Sequence, residues 1–237
     1  MPGLDHRKAG LWFAAAVILA LAVFAIRPGI DIAVSSWFHR PGTGFWLAGD
    51  PWVEAIRNLV WNLSILVFAL SAVASAVALV RRRAGGDVGR VAGFIFLLYL
   101  LGPILLVDGI LKRFWGRARP ATITEFGGDR AFTPPWLPSD QCASNCSFVS
   151  GEGSAAAALA LSFLVLAPIA RRILPRPAFG LYVAAGVILP AAGLALRVMT
   201  GRHFLSDTVF AVIFVSGIAL VLHRLLLTER RGADAPC

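Results

Sequence analysis

Three short stretches of the chain contain the side-chain types that can bind a phosphoryl group and attack its phosphorus. The first covers residues 112–120, the second covers residues 148–154, and the third combines Arg197, His203 and Asp207. Lysine and arginine bind phosphate oxygens, and a neutral histidine is a nucleophile that a carboxylate can orient. Together the stretches predict phosphoryl chemistry that needs no metal ion or other cofactor.

Lys112 and Arg119 are the two cations of the first stretch that we expect to hold one anion. They are seven positions apart, about two turns of a helix, so their side chains can converge. Arginine offers a planar fork for two phosphate oxygens, and lysine offers a point charge. Pro120 then ends the helix, while Asp108, one turn before Lys112, can hold the lysine in place.

The second stretch opens an apolar segment with Ser150, Gly151 and Glu152. A helix that begins there presents unpaired backbone N–H groups and the positive end of its dipole, which together bind anions. Gly151 lets the backbone approach a phosphate closely, and Ser150 can donate a hydrogen bond to it. The alternative is an ordinary serine N-cap followed by small residues for helix packing, and this stretch alone fits both.

The third stretch supplies the reacting group. His203 and Asp207 are four positions apart at the start of the last apolar segment. On one helical face, the Asp207 carboxylate would accept the imidazole Nδ1–H and leave Nε2 as the nucleophile. Arg197, at the end of the preceding segment, is predicted to reach the same phosphate.

The elements that must position these stretches are membrane-spanning helices. Hydrophobic residues make up 58% of the 237 residues and charged residues 15%, which does not describe a soluble domain. We predict an all-α, polytopic membrane protein with a six-transmembrane-helix bundle, in which residues 1–237 form a single membrane-embedded domain. The first apolar run lacks a cleavage signature and is predicted to be retained. The six runs cover about residues 11–26, 59–80, 91–111, 155–169, 178–196 and 205–225.

Basic residues predict the orientation in the membrane. With six spans, both termini share one side, and we predict that this side is cytoplasmic. Its basic residues are Arg7, Lys8, Arg81, Arg82, Arg83, Arg90, Arg171, Arg172, Arg176, Arg224, Arg230 and Arg231. On the opposite side, the positive charge collects within the three stretches, where an anionic substrate would need it. A patch that only holds anionic lipid would more naturally lie inside. The net charge of +9 therefore gives no reason to expect nucleic acid as a partner.

The segment between the first two apolar runs, residues 27–58, is rich in proline, glycine and aromatic residues. Trp37, Trp46 and Trp52 are typical of a segment that lies in the membrane interface. An aromatic belt and a contact with substrate are both consistent with this composition.

Cys142 and Cys146 lie in the loop that leads into the second stretch. A disulfide between them is sterically allowed and would form in an oxidising periplasm, where it would brace the loop; free thiols fit the sequence equally well. A metal site is less well supported, because these two thiols have no nearby histidine apart from His203.

With these motifs in place, the chain resembles the type-2 phosphatidic acid phosphatase superfamily, whose pattern is Lys, six residues, Arg-Pro; then Pro-Ser-Gly-His; then Ser-Arg, five residues, His, three residues, Asp. The resemblance spans nearly the whole chain and implies a nucleophile, His203, that forms a phosphohistidine, with Asp207 as its orienting partner. It also implies five phosphate ligands: Lys112, Arg119, Ser150, Gly151 and Arg197. Leu196 replaces the serine before Arg197, and Glu152 stands where the family has its general-acid histidine.

Within the superfamily the chain is similar to the lipid A 4′-phosphatases of Gram-negative bacteria. The residues that carry this similarity are 115–120, 126–135, 141–142, 145–149 and 203–207. The resemblance implies removal of a phosphate monoester from the distal glucosamine of lipid A at the periplasmic face of the inner membrane. It implies a membrane lipid as substrate and no obligate protein partner.

Other substrates and one other class of protein remain open from the sequence. Phosphatidylglycerophosphate, phosphatidate, undecaprenyl diphosphate and the 1-phosphate of lipid A fit the same motifs. A lipid-binding or transport protein could place Asp108, Arg197 and Asp207 along a translocation path. Against transport, no internal repeat with paired broken helices is visible, and these charged candidates collect at one membrane face instead of the midplane. For Glu152 two roles are considered: general acid, or ligand for a substrate group while water protonates the leaving oxygen.

Overall fold

The computed structural model describes residues 4–228, and within this range six helices are long and apolar enough to cross a membrane. The predicted six-helix membrane bundle is therefore confirmed. Arg230 and Arg231 of the orientation argument lie outside the described residues. The spans are α1 (His6–Ile26), α3 (Pro51–Val80), α4 (Asp87–Phe114), α5 (Gly151–Ile173), α6 (Arg176–Met199) and α7 (Leu205–Leu227).

Several spans begin before their apolar runs because polar side chains cap their first turns. Asp5 accepts hydrogen bonds from the N–H groups of the first turn of α1, and Asp50 does the same for α3 at 2.9 and 3.0 Å. Ser150 accepts from the N–H of Gly153 at 3.0 Å and starts α5. An N-cap satisfies backbone donors that would otherwise lack a partner, so hydropathy alone places these starts too late.

The first loop contains a short helix α2 (Ile30–Ser36) and a small antiparallel hairpin of β1 (His39–Arg40) and β2 (Gly44–Phe45). The hairpin is a minor addition to the predicted all-α architecture. Trp37 lies within this loop and Trp52 in the first turn of α3, with 73% and 80% of their surfaces exposed, as expected of aromatic anchors in the membrane interface.

Helix α5 is the centre of the bundle and packs against α3, α4, α6 and α7. Of the 18-residue apolar segment of α5, 56% is buried inside the bundle. The corresponding value for α1, which packs mainly on α7, is 6%. Small residues allow this close packing. A Cβ atom added to Gly193 of α6 would lie 2.9 Å from Val60 of α3 and 3.2 Å from Ala156 of α5.

Consecutive spans run in opposite directions, so the end of α4, the start of α5, the end of α6 and the start of α7 meet at one end of the bundle. Residues Leu100–Leu111 of α4 are wound as a π-helix, directly before the short α-helical end Lys112–Phe114. A long loop, residues 115–150, covers this end and packs Ile123 against Phe204 at the start of α7.

Candidate active site

The end of the bundle contains a polar cavity of about 240 Å³. Its lining includes six of the eight residues predicted from the sequence: Lys112, Arg119, Gly151, Glu152, Arg197 and His203. The other predicted residues, Ser150 and Asp207, are completely buried behind it. Trp61, Asp108 and Asn145 complete the lining. Four helix ends and one loop thus bring the three sequence stretches to one place.

Lys112 and Arg119 converge, but the prediction that one helix continues to Pro120 is wrong, because α4 ends at Phe114 and Arg119 lies in the loop. The amide of Asn145 lies between the two cations. Lys112 Nζ is 3.2 Å from Asn145 Oδ1 and 3.5 Å from Asp108 Oδ1, while Arg119 Nη2 donates to Asn145 Oδ1 at 3.0 Å and to its carbonyl oxygen at 2.8 Å. Burial lowers the pKa of Arg119, and the nearby charge of Arg202 lowers it further. An anion placed between the two cations would offset this cost.

Asn145 is held by a closed loop. Cys142 and Cys146 are joined by a disulfide with a Cα–Cα distance of 5.6 Å, which resolves the alternative left open by the sequence. Asn145 has a φ of 51° in the left-handed region, a conformation that asparagine tolerates better than most residues. The disulfide and this backbone conformation fix the amide over the two cations.

The start of α5 contributes through Gly151. A Cβ atom at this position would lie 2.8 Å from Asp108 Oδ1 and 2.9 Å from Lys112 Nζ, so a larger residue would displace the ends of these two side chains above the helix start. The Ser150 hydroxyl accepts the N–H of Gly153 and serves as the N-cap, and the Ser150 N–H donates to the Asp207 carbonyl at 3.3 Å. Its predicted contact with phosphate stays a prediction.

His203 is 2% exposed and lies between α6 and α7. Its Nδ1 is 2.8 Å from the carbonyl oxygen of Ser147, so Nδ1–H donates there and Nε2 is the unprotonated nitrogen. The nearest oxygen of Asp207 is 3.7 Å away, an ion-pair distance and not a hydrogen bond. The expected tautomer is therefore oriented by a backbone carbonyl. Burial lowers the pKa of His203 to about 4, more than the Asp207 carboxylate raises it.

Asp207 is engaged elsewhere because α7 begins at Leu205, after His203, so the two residues do not share a regular helical face. The carboxylate accepts hydrogen bonds from the N–H of Phe204 at 2.8 Å and from the hydroxyl of Ser147. It also accepts from Arg117 Nη1 at 2.6 Å. Asp207 is thus a buried charge beside His203 that is anchored on three sides.

Arg117 is a residue whose role the sequence did not reveal. It is completely buried and binds Asp207, Ser206 Oγ at 2.8 Å and Asp31 at 2.8 Å. Its guanidinium carbon lies 4.3 Å from the ring centre of Phe204, in cation–π contact. Burial raises the pKa of Asp31 above its ordinary value, and the Arg117 guanidinium offsets only part of this rise. One signal was available: Arg117 is a basic residue inside the first stretch.

Glu152 forms ion pairs with two arginines. Its carboxylate is 3.2 Å from Arg197 Nη1 and 3.0 Å from Arg57 Nη1, and Arg57 Nε also donates to Glu54 at 2.6 Å. Arg57 lies on α3, outside all three sequence stretches. In this arrangement Glu152 acts as a carboxylate that holds Arg197 against the cavity. These contacts give no support for Glu152 as a proton donor, and its predicted role as general acid stays a prediction.

Comparisons with known proteins agree with this geometry. Residues 92–231 match the PAP2 superfamily. A lipid A 4′-phosphatase of Francisella tularensis subsp. novicida is 29% identical over 90% of this chain and 97% of its own length. A lipid A 4′-phosphatase of Rhizobium etli is 31% identical over 88% of this chain and 83% of its own length.

One solved structure has a similar fold: the transmembrane PAP2 type phosphatidylglycerolphosphate phosphatase of Bacillus subtilis. The TM-score is 0.57 at 17% identity, with 97% of this chain and all of that chain covered. At this identity the likeness concerns the fold alone. The match to the family over more than half of the chain, together with the relatives that span most of it, shows that this protein belongs to the PAP2 superfamily.

Proposed function

We propose that this membrane phosphatase removes the 4′-phosphate of lipid A through a phosphohistidine at His203, without a metal ion. The observation that carries the proposal is the cavity itself: the unprotonated Nε2 of a buried histidine adjoins Lys112, Arg119 and Arg197. The names of the relatives, which span about nine-tenths of the chain, support lipid A as the substrate.

In the first step Nε2 of His203 attacks phosphorus, and the bond from phosphorus to the sugar oxygen breaks. The three cations hold the other phosphate oxygens, where negative charge develops. The imidazole becomes a cation as the bond from phosphorus to Nε2 forms. The Ser147 carbonyl and the Asp207 carboxylate beside Nδ1 stabilise that cation. Water then attacks phosphorus, the bond to Nε2 breaks, and inorganic phosphate leaves.

The leaving sugar oxygen needs a proton. Glu152 is the partner of Arg57 and Arg197, and a carboxylate cannot donate a proton. We therefore assign Glu152 to the positioning of Arg197 and assign protonation of the leaving oxygen to water. We also assign to Gly151, which lines the cavity at the start of α5, the placement of the helix N-terminus against the phosphate.

We also propose that the cavity faces the periplasm of the inner membrane and that both chain termini are cytoplasmic. The basic residues at the opposite end of the bundle support this orientation. The disulfide in the loop over the cavity supports it as well, because disulfides persist in oxidising compartments. Transport is disfavoured because Asp108, Arg197 and Asp207, the charged residues that a translocation path would use, collect at one end of the spans.

The test is mass spectrometry of bis-phosphorylated lipid A after incubation with the purified full chain in EDTA. Wild type is expected to release the 4′-phosphate, and His203→Ala is expected to be inactive. His39→Ala serves as the matched control, because His39 lies in the β-hairpin and does not line the cavity. Activity of His203→Ala at the wild-type level would refute the mechanism. Release only from phosphatidylglycerophosphate, phosphatidate, undecaprenyl diphosphate or the 1-position would refute the substrate.

A further inference from the structure

Asp31 of α2 is far from the site in sequence and reaches it through a buried network. Its Oδ2 accepts from Arg117 Nη2 at 2.8 Å and from the hydroxyl of Ser206, and its Oδ1 accepts from the Ser206 N–H at 2.9 Å. The side chains of Asp31, Arg117 and Asp207 are all 0% exposed. Asp31 belongs to none of the three stretches of site residues.

Asp31 is the acceptor in each of these hydrogen bonds, which suits an ionised carboxylate. Burying such a group is costly, and exchange of a buried ion pair for apolar residues often stabilises a protein. A buried charge network is therefore weak evidence for stability and needs another explanation. Here the network ends at Asp207, whose carboxylate lies 3.7 Å from Nδ1 of the proposed nucleophile.

The sharing of the Arg117 charge between two carboxylates indicates the function of the network. Arg117 donates Nη1 to Asp207 and Nη2 to Asp31, so one guanidinium is shared by two carboxylates. With Asp31 present, Arg117 holds Asp207 in a fixed orientation, and the two carboxylates together neutralise the charge of Arg117. With Asp31 absent, Arg117 would pair with Asp207 only and would shift toward it. Less of the negative charge of Asp207 would then be available to stabilise the His203 cation.

We propose that Asp31 is a positioning residue for catalysis: through Arg117 and Ser206 it fixes the Asp207 carboxylate beside His203. This inference rests on the proposed phosphohistidine mechanism. Asp31 touches neither phosphate nor the reacting nitrogen, and Lys112, Arg119 and Arg197 hold the substrate without it. Loss of Asp31 therefore slows formation of the bond between phosphorus and Nε2 and leaves phosphate affinity nearly unchanged.

The test follows exchange of oxygen between heavy-oxygen-labelled inorganic phosphate and water, catalysed by the purified full chain. In this reaction Nε2 of His203 attacks phosphorus, one phosphate oxygen leaves as water, and solvent water reverses the step. The assay needs no lipid, so a wrong lipid substrate cannot hide the effect. His203→Ala is expected to abolish exchange; exchange at the wild-type rate in that variant would overturn this inference together with the mechanism.

Asp31→Asn keeps the shape and removes the charge. We expect a maximal exchange rate about 10- to 100-fold lower, the scale of a misplaced catalytic group, with a half-saturating phosphate concentration within about threefold of wild type. Asp50→Asn is the matched control in the same loop region, since asparagine also caps a helix, and it is expected to exchange at the wild-type rate.

A folded Asp31→Asn protein that exchanges phosphate as fast as wild type would overturn the inference. An Asp31→Asn protein whose only defect is a lower affinity for phosphate would also overturn the inference. If Asp31→Asn does not fold, Ser206→Ala serves as the test, because it removes the hydroxyl that is hydrogen-bonded to both Asp31 and Arg117 and keeps every charge. A loss of about three- to tenfold in its maximal rate supports the inference, and an unchanged rate overturns it.

Discussion

Exchange of Glu152 for glutamine distinguishes a carboxylate that positions Arg197 from one that protonates the leaving group. At 3.2 Å, two unit charges attract by about 5 kcal/mol at an effective dielectric constant of about 20. The Glu152 side chain is 26% exposed, and glutamine keeps one acceptor oxygen, so solvent screening and the remaining hydrogen bond reduce the loss to about 1–2 kcal/mol. We therefore expect kcat/KM to fall about five- to thirtyfold.

The assay is a double-mutant cycle on lipid phosphate release with Glu152→Gln, Arg57→Gln and the double variant. If Glu152 positions Arg197 with the help of Arg57, the single variants are both impaired and the double variant is less impaired than the product of their effects. Glu54→Gln is the matched control, because it breaks only the outer ion pair of Arg57. It is expected to lower kcat/KM less than twofold.

General-acid catalysis by Glu152 gives a different result. It predicts a loss of about 10²- to 10⁴-fold in kcat for Glu152→Gln, the disappearance of the basic limb of the pH profile, and little effect of Arg57→Gln. That combination would refute the assignment of Glu152 as a positioning residue. It would restore the role that the family resemblance implies.

Three further predictions concern the nucleophile, the loop and the packing. Because attack requires neutral His203 and burial lowers its pKa to about 4, NMR of the imidazole should show protonation, and with it loss of the nucleophile, only as pH drops through about 4; protonation near pH 6.5 would contradict the buried environment. Reduction of the Cys142–Cys146 disulfide should raise KM about three- to tenfold, since the loop then no longer fixes the amide over the cations, and an unchanged KM after verified reduction would exclude this role. Gly193→Ala should destabilise the bundle by about 1–3 kcal/mol, because its Cβ would meet a side chain of α3 at 2.9 Å. Thermal unfolding in detergent measures this, with Gly180→Ala, which meets nothing within 4 Å, as a control expected to be at least as stable as wild type.

The six spans and most of the cavity lining could be predicted from the sequence because both depend on local patterns. Apolar runs fix the spans, and the three stretches lie at their ends. Helical spacing predicts the convergence of Lys112 and Arg119, but α4 ends at Phe114 and the following loop brings Arg119 back to the cavity. Asn145 could not be predicted, because its position depends on a disulfide whose formation the sequence leaves open. Asp31 is separated from Ser206 by 175 residues, and only the packing of α2 against α7 brings them together.

His203 and Asp207 show how a correct choice of residues can come with the wrong contact. The spacing of four assumes that both lie in one helix, but α7 begins between them. Asp207 consequently caps the helix and binds Arg117, and the carbonyl of Ser147 orients His203. A helix start is set by capping and by the preceding loop, which hydropathy does not resolve.

Trp37 and Trp52 are largely exposed at the end of the bundle that contains the cavity, and we expect them to set the depth of the protein in the bilayer. On this expectation the cavity would lie at the level of lipid headgroups, and a substrate would reach it by lateral diffusion with its acyl chains still in the membrane. Encounter then takes place in two dimensions. At constant bulk lipid concentration, dilution of the phosphorylated lipid with neutral lipid should lower the rate in proportion to its mole fraction in the surface.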